Sequence, residues 1–371
     1  MRKILARIWS GEDQGSNRPL VLLLGLLSFG YRSVVSLRNF LFDRGLLKVA
    51  KLSCPVISVG NITVGGTGKT PMVINLARHF QQNGFSPAVL TRGYGGRGLS
   101  GVTLVSDGKE TLNDYQAVGE EAVLLARSLP GVPVLVGPKR ARTGLVAREI
   151  FRADLVILDD AFQHRGIFRD LNLVLLNSSR PLGNGQLLPA GPLREPASAL
   201  KRADIVVYTG VADKAEEPVD SPVALFPAGT PVFRACYQPK DLFHPPSGRF
   251  LPPGILRGKT VCLLAGIGRP EGFQETVASL GAKVAAYRIF PDHHIYRPGD
   301  LDDLLPLCEE NKVDFLITTE KDAVKLVDYR ESIPDWHILR IELAIIPDQA
   351  AFYSFLASRL RKKSEITESE S

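Results

Sequence analysis

The chain contains little cysteine, and its four cysteines are far apart. Cys54, Cys236, Cys262 and Cys308 include no Cys-x-x-Cys spacing in 371 residues. Cysteine-ligated zinc sites and disulfide frameworks need closely spaced cysteines, so these four cysteines imply neither, and they suit a reducing compartment. With 44% hydrophobic and 23% charged residues, the composition is that of a globular protein with a sizeable core. The length favours two domains.

The sequence also lacks the features of a nucleic-acid-binding protein. The net charge is +6, but residues 1–51 hold nine Lys/Arg against three Asp/Glu, and the other 320 residues hold 36 of each sign. The basic excess is therefore confined to the N-terminal segment, and no alternation of aromatic and basic residues indicates a nucleic-acid module. We expect no nucleic-acid partner, and no feature indicates an obligate protein partner.

The main apolar run, Pro19 to Tyr31, is too short to cross a membrane unaided. As a helix it would span about 20 Å, against a hydrocarbon core of about 30 Å. A secretory signal, a buried core helix and a helix on a membrane surface are the alternatives. No small-residue cleavage site follows the run, which disfavours the signal. The run and the confined positive charge favour a membrane-associating helix within residues 1–48, attracted by anionic lipids.

The stretch from Pro55 to Pro71 has the order strand, glycine-rich loop, helix. Four glycines lie between Gly60 and Gly68, and Lys69-Thr70 stands where the helix begins. Backbone N–H groups and the helix N-terminus would bind phosphates, Lys69 would contact the outer phosphates, and the Thr70 hydroxyl would bind Mg²⁺. An ordinary glycine-rich turn is the alternative, because a strict motif has glycine at position 63. The predicted nucleotide-binding residues are Thr63, Val64, Gly65, Gly66, Thr67, Gly68, Lys69 and Thr70.

From this stretch onwards, short apolar runs alternate with helical patterns, which predicts an α/β fold with a parallel sheet and helices on both faces. We predict a P-loop NTPase-like domain at 49–215 and a smaller α/β domain at 256–361. A linker region at 216–255 and a disordered polar tail at 362–371 complete the division. Predicted strands lie at 56–59, 88–91, 134–136, 155–158, 173–176, 205–208, 232–237, 260–264, 282–289, 315–318 and 338–341, and predicted helices at 71–83, 120–128 and 140–151.

Two pairs of adjacent carboxylates stand at the ends of predicted elements. Asp159-Asp160 follows an apolar strand, where an acidic side chain of a nucleotide-binding sheet reaches Mg²⁺. A solvated strand end is the alternative. Glu120-Glu121 opens a predicted helix, where carboxylates often do no more than complement the helix dipole.

Two loops carry further candidates. Asp292-His293-His294 contains adjacent histidines that point to different sides, so we expect no bidentate metal site; an Asp–His pair tuning a base or binding phosphate, or a plain loop, remains. The segment from Gly183 to Pro196 combines glycines and prolines and is interpreted as a substrate loop or lid, with a buried structural loop as the alternative.

Taken together, these segments resemble the tetraacyldisaccharide 4′-kinases, the lipid A 4′-kinases of Gram-negative bacteria. The resemblance covers about residue 40 to about residue 355, nearly the whole chain. The segments that carry it are Val59 to Pro71, Arg92 to Gly96, Leu158 to His164, Gly183 to Pro196, Phe290 to His294 and Thr319 to Ala323.

The resemblance implies transfer of the γ-phosphate of ATP to the 4′-hydroxyl of an acylated glucosamine disaccharide 1-phosphate, giving lipid IVA, with Mg²⁺ as cofactor. It implies an enzyme on the cytoplasmic face of the bacterial inner membrane, peripheral or monotopic, on an anionic membrane surface. The implied roles are catalytic for Lys69, Asp160, Glu120 as base and His293, metal-binding for Thr70, Glu121 and Asp159, and substrate-binding for Asn184, Arg194 and Arg92.

The sequence departs from the family pattern at two positions. Glu120 stands where the family has aspartate, and Ala161 stands where it has glycine. Two other classes of protein remain open: a partitioning-type switch ATPase, disfavoured because Val64 stands where that class has lysine, and a non-catalytic nucleotide-regulated adaptor, disfavoured by the acidic pairs. Phosphoryl transfer that depends on the lipid acceptor separates a kinase from both.

Overall fold

One 13-stranded sheet runs through the residues that the computed structural model describes, which are 8–9, 18–97, 101–211, 221–302, 304–329, 333 and 335–369. The elements before the sheet's midpoint are α1 (Arg18–Asp43), β1 (Val56–Asn61), α2 (Lys69–Gln82), β2 (Pro87–Thr91), β3 (Thr103–Ser106), α3 (Tyr115–Val118), α4 (Glu120–Ser128), β4 (Val134–Val136), α5 (Arg140–Phe151), β5 (Leu155–Leu158), β6 (Leu171–Asn177) and β7 (Ile205–Thr209).

The later elements are β8 (Val232–His244), β9 (Arg249–Leu251), β10 (Thr260–Ala265), α6 (Pro270–Ser279), β11 (Lys283–Ile289), α7 (Pro298–Asp302), α8 (Leu304–Glu310), β12 (Phe315–Thr319), α9 (Glu320–Ala323), β13 (Trp336–Ile346) and α10 (Gln349–Ser369). Short 3₁₀ helices lie at Ala197–Arg202, Val223–Leu225, Pro253–Leu256 and Val327–Tyr329.

The strand order is β11-β10-β12-β13-β8-β7-β6-β1-β5-β2-β4-β3, with β9 paired to β8. The first lobe, β1 to β7, is parallel except for the antiparallel edge strand β3. The second lobe, β10 to β12, is also parallel, and the antiparallel pair β8 and β13, here the β8–β13 ribbon, joins the two lobes. The predicted α/β class is therefore confirmed.

The first lobe forms where the apolar runs are continuous. All residues of β1, β2 and β5 are buried, as expected for parallel strands covered by helices on both faces. Helix α2 packs on this sheet through Met72, Val73, Leu76, Ala77 and Phe80, which recur at helical spacing. This packing fixes the loop between β1 and α2, because both of its ends are anchored in the core.

The second half of the predicted linker region at 216–255 contains a strand longer than the one predicted at 232–237. Residues Val232–His244 form the long strand β8, which pairs in parallel with β7 through Val232–Ala235 and antiparallel with β13 through most of its remaining length. Only part of β8 is buried and Gln238 to Lys240 interrupt its apolar pattern, so the sequence showed only the strand's first residues.

The C-terminal helix α10 packs against the first lobe, although it follows the second in sequence. Phe352, Leu356 and Leu360 lie in the same core as Ile57 of β1. The Tyr353 ring stacks on His79 of α2 at a centroid distance of 3.5 Å. The helix continues to Ser369, over most of the segment that the sequence predicts as a tail at 362–371.

Helix α1 contacts the body of the protein through one side only. Leu24 and Val35 are buried, and the Ser28 and Tyr31 hydroxyls donate hydrogen bonds of 2.9 Å to the carbonyls of Leu187 and Arg194. With 26 residues, α1 is much longer than the apolar run and, in the described part of the chain, the one helix long and apolar enough to cross a membrane. Its outer side is strongly apolar: Leu22, Leu23, Leu26, Leu27, Phe29, Val34, Leu37 and Phe40 are exposed.

A buried carboxylate fastens α1 to the first lobe. The Glu195 side chain is fully buried; it forms an ion pair of 2.5 Å with Arg38 of α1 and another with Arg202. We expect Glu195→Ala to lower the free energy of unfolding by about 3 kcal/mol, because Arg202 is left buried without its counter-charge. Chemical denaturation measures this, with the exposed Glu275→Ala on α6 as control. A change within 0.5 kcal/mol of that control would contradict the fastening role.

Candidate active site

The glycine-rich loop opens in front of the N-terminus of α2. Gly65 and Gly68 have φ angles of 119° and 80°, which residues with a side chain rarely adopt. Gly68 is the N-cap without a side-chain cap, and the first turn of α2 carries no acidic residue. A β-carbon at Gly65 or Gly66 would meet no atom within 4 Å, so there is room for a ligand. The positive end of the helix therefore faces open space, as an anion site requires.

The missing glycine at position 63 has a structural counterpart. Thr63 forms an antiparallel bridge with Leu193, and the Val64 N–H donates a 2.8 Å hydrogen bond to the Pro192 carbonyl. The loop's entrance is thus held by the segment from Gly183 to Pro196, which replaces the tight turn of a strict motif. The segment predicted to be a substrate loop or lid lies directly against the phosphate loop.

Lys69 extends from the first turn of α2 towards the end of β5. Its Nζ lies 3.4 Å from Asn61 Oδ1 and 3.7 Å from Asp160 Oδ1. Arg194 Nη1 contacts both carboxylate oxygens of Asp160 at 2.8 and 2.9 Å. Two cations therefore face one carboxylate beside the phosphate loop. Burial raises the pKa of Asp160, but the charges of Lys69 and Arg194 outweigh it and lower the pKa overall, so Asp160 is ionised.

Asp159 differs from its neighbour in that one of its oxygens is unpaired. Its side chain is buried; Oδ2 accepts a 3.0 Å hydrogen bond from the Thr91 hydroxyl, whereas Oδ1 has no hydrogen-bond partner in the described residues. Burial and the negative charges of Glu121 and Asp160 raise its pKa. A buried carboxylate oxygen without a donor, with a second and third carboxylate close by, is an arrangement that a bound cation would stabilise.

Glu120 at the N-terminus of α4 is the centre of an ion cluster between the lobes. The carboxylate is 2.5 Å from His293 Nδ1, 3.1 Å from Lys321 Nζ and 3.0 Å from Lys325 Nζ. Lys321 also pairs with Asp292 at 2.9 Å. The structure thus brings together the predicted base and the predicted histidine, one from each lobe. The longer glutamate reaches His293 fully, so the departure from aspartate leaves the pair intact.

The electrostatics of the pair favour an ionised Glu120 and a protonated His293. Burial raises the pKa of Glu120, but the hydrogen bond from His293 and the charges of Lys321 and Lys325 outweigh it and lower the pKa to about 2. The hydrogen bond to Glu120 raises the pKa of His293 above its ordinary value of 6.5, against burial and the charge of Lys321. Glu120 is only 8% exposed whereas His293 is 41% exposed, so His293 presents the accessible side of the pair.

Lys325 was not predicted from the sequence, and the contact of Lys321 with Glu120 was also missed. Lys325 is 1% exposed and 3.1 Å from Asp322, which is held in turn by the Tyr296 hydroxyl and the Gly266 N–H, each at 3.0 Å. The spacing Lys321-x-x-x-Lys325 after β12 is a usable signal, because two lysines four residues apart on one helical stretch face the same side.

The predicted substrate-binding residues lie in different settings. Arg194 binds Asp160, as described. Asn184 uses its side chain within the loop: its Nδ2 donates to the carbonyls of Ala190 and Ile8 at 3.0 and 3.2 Å, and its Oδ1 accepts from the Gln186 N–H at 3.1 Å. These contacts give Asn184 a loop-ordering role. Arg92 is exposed at the end of β2, and its contact with substrate stays a prediction.

The two histidines diverge, as the sequence indicated. His293 binds Glu120, whereas His294 Nε2 lies 2.9 Å from Asp300 Oδ2 and its ring stacks on Phe290. His293 has a positive φ of 64°, a conformation that histidine tolerates better than most residues. The local turn therefore directs His293 alone towards the first lobe.

An uncapped glycine loop, a lysine and a strand-end carboxylate pair on a parallel sheet define a P-loop phosphotransferase. A sequence model of the family described as tetraacyldisaccharide-1-P 4′-kinase matches residues 20–361. The chain belongs to this family, and its activity is that of a tetraacyldisaccharide 4′-kinase of lipid A biosynthesis. The family, the enzyme class and the function that we predicted from the sequence are thereby confirmed.

Curated relatives and a solved structure are similar over nearly the whole chain. The tetraacyldisaccharide 4′-kinase of Syntrophus aciditrophicus is 46% identical over 94% of this chain and 96% of its own. That of Desulfatibacillum aliphaticivorans is 40% identical over 97% and 98%. The crystal structure of an "apo" form of LpxK from Aquifex aeolicus in complex with ATP has a TM-score of 0.74 and 32% identity, over 92% of this chain and 99% of that one.

Proposed function

We propose that the enzyme transfers the γ-phosphate of ATP to the 4′-hydroxyl of a tetraacylated glucosamine disaccharide 1-phosphate, with lipid IVA as product. The observation that carries this is the placement of Lys69 beside Asp160 at the phosphate loop, together with the pairing of Glu120 and His293 between the lobes. A loop that binds phosphates and a basic pair that accepts a proton are the two parts that phosphoryl transfer to a hydroxyl needs.

Asp159, Glu121 and the Thr70 hydroxyl are the proposed Mg²⁺ ligands. The unpaired Oδ1 of Asp159 and the nearby charge of Glu121 supply the hard oxygen donors that Mg²⁺ prefers. When bound, the ion would neutralise phosphate charge and orient the β- and γ-phosphates. Asp160 stays with Lys69 and Arg194, so its role is to place these two cations beside the transferred group.

The Glu120–His293 pair is the proposed proton acceptor. The sequence favoured Glu120 as the group that contacts the hydroxyl, whereas the structure leaves His293 as the accessible member and buries Glu120 behind it. Nδ1 of His293 donates to Glu120, which leaves Nε2 to receive the proton of the sugar hydroxyl, and the Glu120 carboxylate stabilises the imidazolium that forms. Lys321 and Lys325 hold the carboxylate in place.

The outer side of α1 is proposed to insert into a membrane surface. Its exposed leucines, valine and phenylalanines form a lipid-compatible face, whereas its inner side is occupied by contacts with the loop at 183–196. A helix docked along the protein in this way suits a monotopic position better than a complete crossing. Because ATP is cytosolic, the site would face the cytoplasm, and anionic lipids would attract the basic N-terminal segment.

We expect Leu23→Asp/Leu26→Asp to reduce binding to anionic vesicles by at least about tenfold, because two exposed apolar side chains are replaced by charge. Sedimentation with vesicles measures this. Ser33→Asp is the matched control, since it adds charge at an exposed position of α1 without removing apolar surface. Binding by the double variant equal to that of Ser33→Asp would show that the leucines do not enter lipid.

The reaction is tested by incubating purified protein with labelled ATP and the disaccharide lipid. A gain of one phosphate on the lipid, with ADP formed in equal amount, supports the proposed transfer. ATP hydrolysis at a rate indifferent to the lipid would favour the switch ATPase instead.

A further inference from the structure

A second cluster of metal-ligating side chains lies outside the active site, at one end of the β8–β13 ribbon. His244 is the last residue of β8, Asp335 immediately precedes β13, and His337 is the second residue of β13. Because Ile338 pairs with Phe243, His337 and His244 are cross-strand neighbours, and their rings stack with centroids 4.7 Å apart.

This cluster lies away from the phosphoryl-transfer site. β12 and β13 run parallel, and Lys321 follows the carboxyl end of β12, whereas the cluster stands at the amino end of β13. The ends of parallel strands lie at opposite edges of a sheet. The cluster therefore belongs to neither the nucleotide site nor the Glu120–His293 pair.

The spacing of the ligand atoms suits a small divalent cation. His244 Nε2 lies 3.1 Å from Asp335 Oδ1, and one ligand atom of each of the three residues lies within 4.8 Å of the others. Ligands about 2.0–2.1 Å from a tetrahedral zinc ion are roughly 3.3 Å apart. The Asp335 side chain is 61% exposed, so it can turn to close the remaining separation without disturbing the core.

Both histidines have a ring nitrogen that is available to bind an ion. His337 is 2% exposed, and its Nδ1 has no hydrogen-bond partner in the part of the chain that the structure describes. His244 Nδ1 lies 2.7 Å from Ser247 Oγ; when Nδ1 donates to this oxygen, Nε2 is left with the lone pair that faces Asp335.

We propose that His244, Asp335 and His337 bind Zn²⁺, or a first-row divalent cation of the same ligand preference, with water as a fourth ligand. Two imidazole nitrogens and one carboxylate oxygen are donors typical of zinc. A direct contact between His244 and Asp335 is the alternative, but it leaves the buried Nδ1 of His337 without a hydrogen-bond partner among the described residues. The bound ion would join the end of β8 to the beginning of β13 and stabilise this end of the β8–β13 ribbon.

The test uses the full-length His293→Ala protein, because Glu120, Asp292 and His293 form another group that could hold an ion. After treatment with chelator, it is titrated with Co²⁺, whose visible absorption is intense in four-coordinate sites, and with Zn²⁺. With Mg²⁺ in excess to occupy the proposed site at Asp159, we expect one equivalent to bind, and Zn²⁺ at about a hundredfold excess over Kd to raise the Tm by about 3 °C or more.

Asp335→Asn and His244→Gln, each added to this protein, should weaken binding of either ion by at least about tenfold. Asp335→Asn changes an exposed side chain, so loss of folding does not obscure its result. His79→Gln, which changes a histidine stacked on Tyr353, is the matched control and should bind as before. Absence of binding in the parent protein, or equal binding in Asp335→Asn, His244→Gln and the control, overturns the proposal.

Discussion

Lys69→Ala is expected to lower kcat by about 10³-fold while leaving the fold intact. Lys69 directly follows the phosphate loop, and its Nζ lies 3.7 Å from Asp160 Oδ1. A positioned cation stabilises charge that develops on the transferring phosphoryl group, and removal of one such donor costs about 10²–10³ in rate, or more when it is a full charge. Steady-state kinetics with saturating lipid measures the loss.

The fold should survive because Arg194 keeps both of its contacts with Asp160. Circular dichroism and the Tm check this directly. Lys283→Ala on β11 is the control, since Lys283 is exposed and distant in sequence from the loop. Turnover by Lys69→Ala within threefold of that of Lys283→Ala would mean that the loop between β1 and α2 does not bind the reacting phosphates.

Glu120→Gln, His293→Ala and the double variant are expected to lose kcat to a similar extent, each by about 10²–10⁴-fold. The two side chains form an ion pair with 2.5 Å between His293 Nδ1 and the Glu120 carboxylate, and groups that act as a unit show losses that do not add. ATP affinity should change little, because neither side chain is part of the phosphate loop. Losses that multiply in the double variant would contradict a single proton-accepting unit.

His294→Ala is the matched control for this series. His294 adjoins His293 and pairs with its own carboxylate, Asp300, at 2.9 Å, so it should change kcat by less than about threefold. Glu120→Asp tests the spacing: because the glutamate carboxylate already reaches His293, the shorter side chain falls about 1 Å short, and such a displacement can cost about 100-fold. Near-normal activity of Glu120→Asp would mean that the backbone of α4 adjusts.

The pH dependence of kcat reports on the same pair. His293 must be neutral to accept a proton, so activity falls as the pH drops through its pKa, which lies above 6.5. Lys321 lowers that pKa. Lys321→Met should therefore move the acidic limb of the profile to higher pH.

The first lobe was predictable because its signals are local. Parallel strands covered on both faces appear as uninterrupted apolar runs, and the helices at 120–128 and 140–151 were predicted with the bounds that the structure shows. The ribbon was not predictable in the same way. Its strands pair residues from distant parts of the chain and are only partly buried, so their hydrophobic patterns are interrupted.

The residues of the site likewise fall into those with a local sequence signal and those brought together from distant parts of the chain. The phosphate loop and the Asp159-Asp160 pair were found because motif and element lie within a few residues of each other. The partners of Glu120 come from the residues that follow β11 and β12, and no pattern at Glu120 itself reveals them. For this reason adjacent glutamates at a helix start looked like dipole complements, and only the resemblance to a family indicated otherwise.

The docking of α10 on the first lobe has a consequence for synthesis on the ribosome. Ile57, among the first core residues to be translated, shares its core with Phe352 and Leu356, among the last. Likewise, β8 cannot pair with its antiparallel neighbour β13 until β13 has been synthesised. A nascent chain therefore carries an open strand edge and an uncovered apolar face until translation is nearly complete, a state in which chaperones act and aggregation begins. A chain that ends before β13 would not leave a smaller working kinase; it would leave an unfinished core.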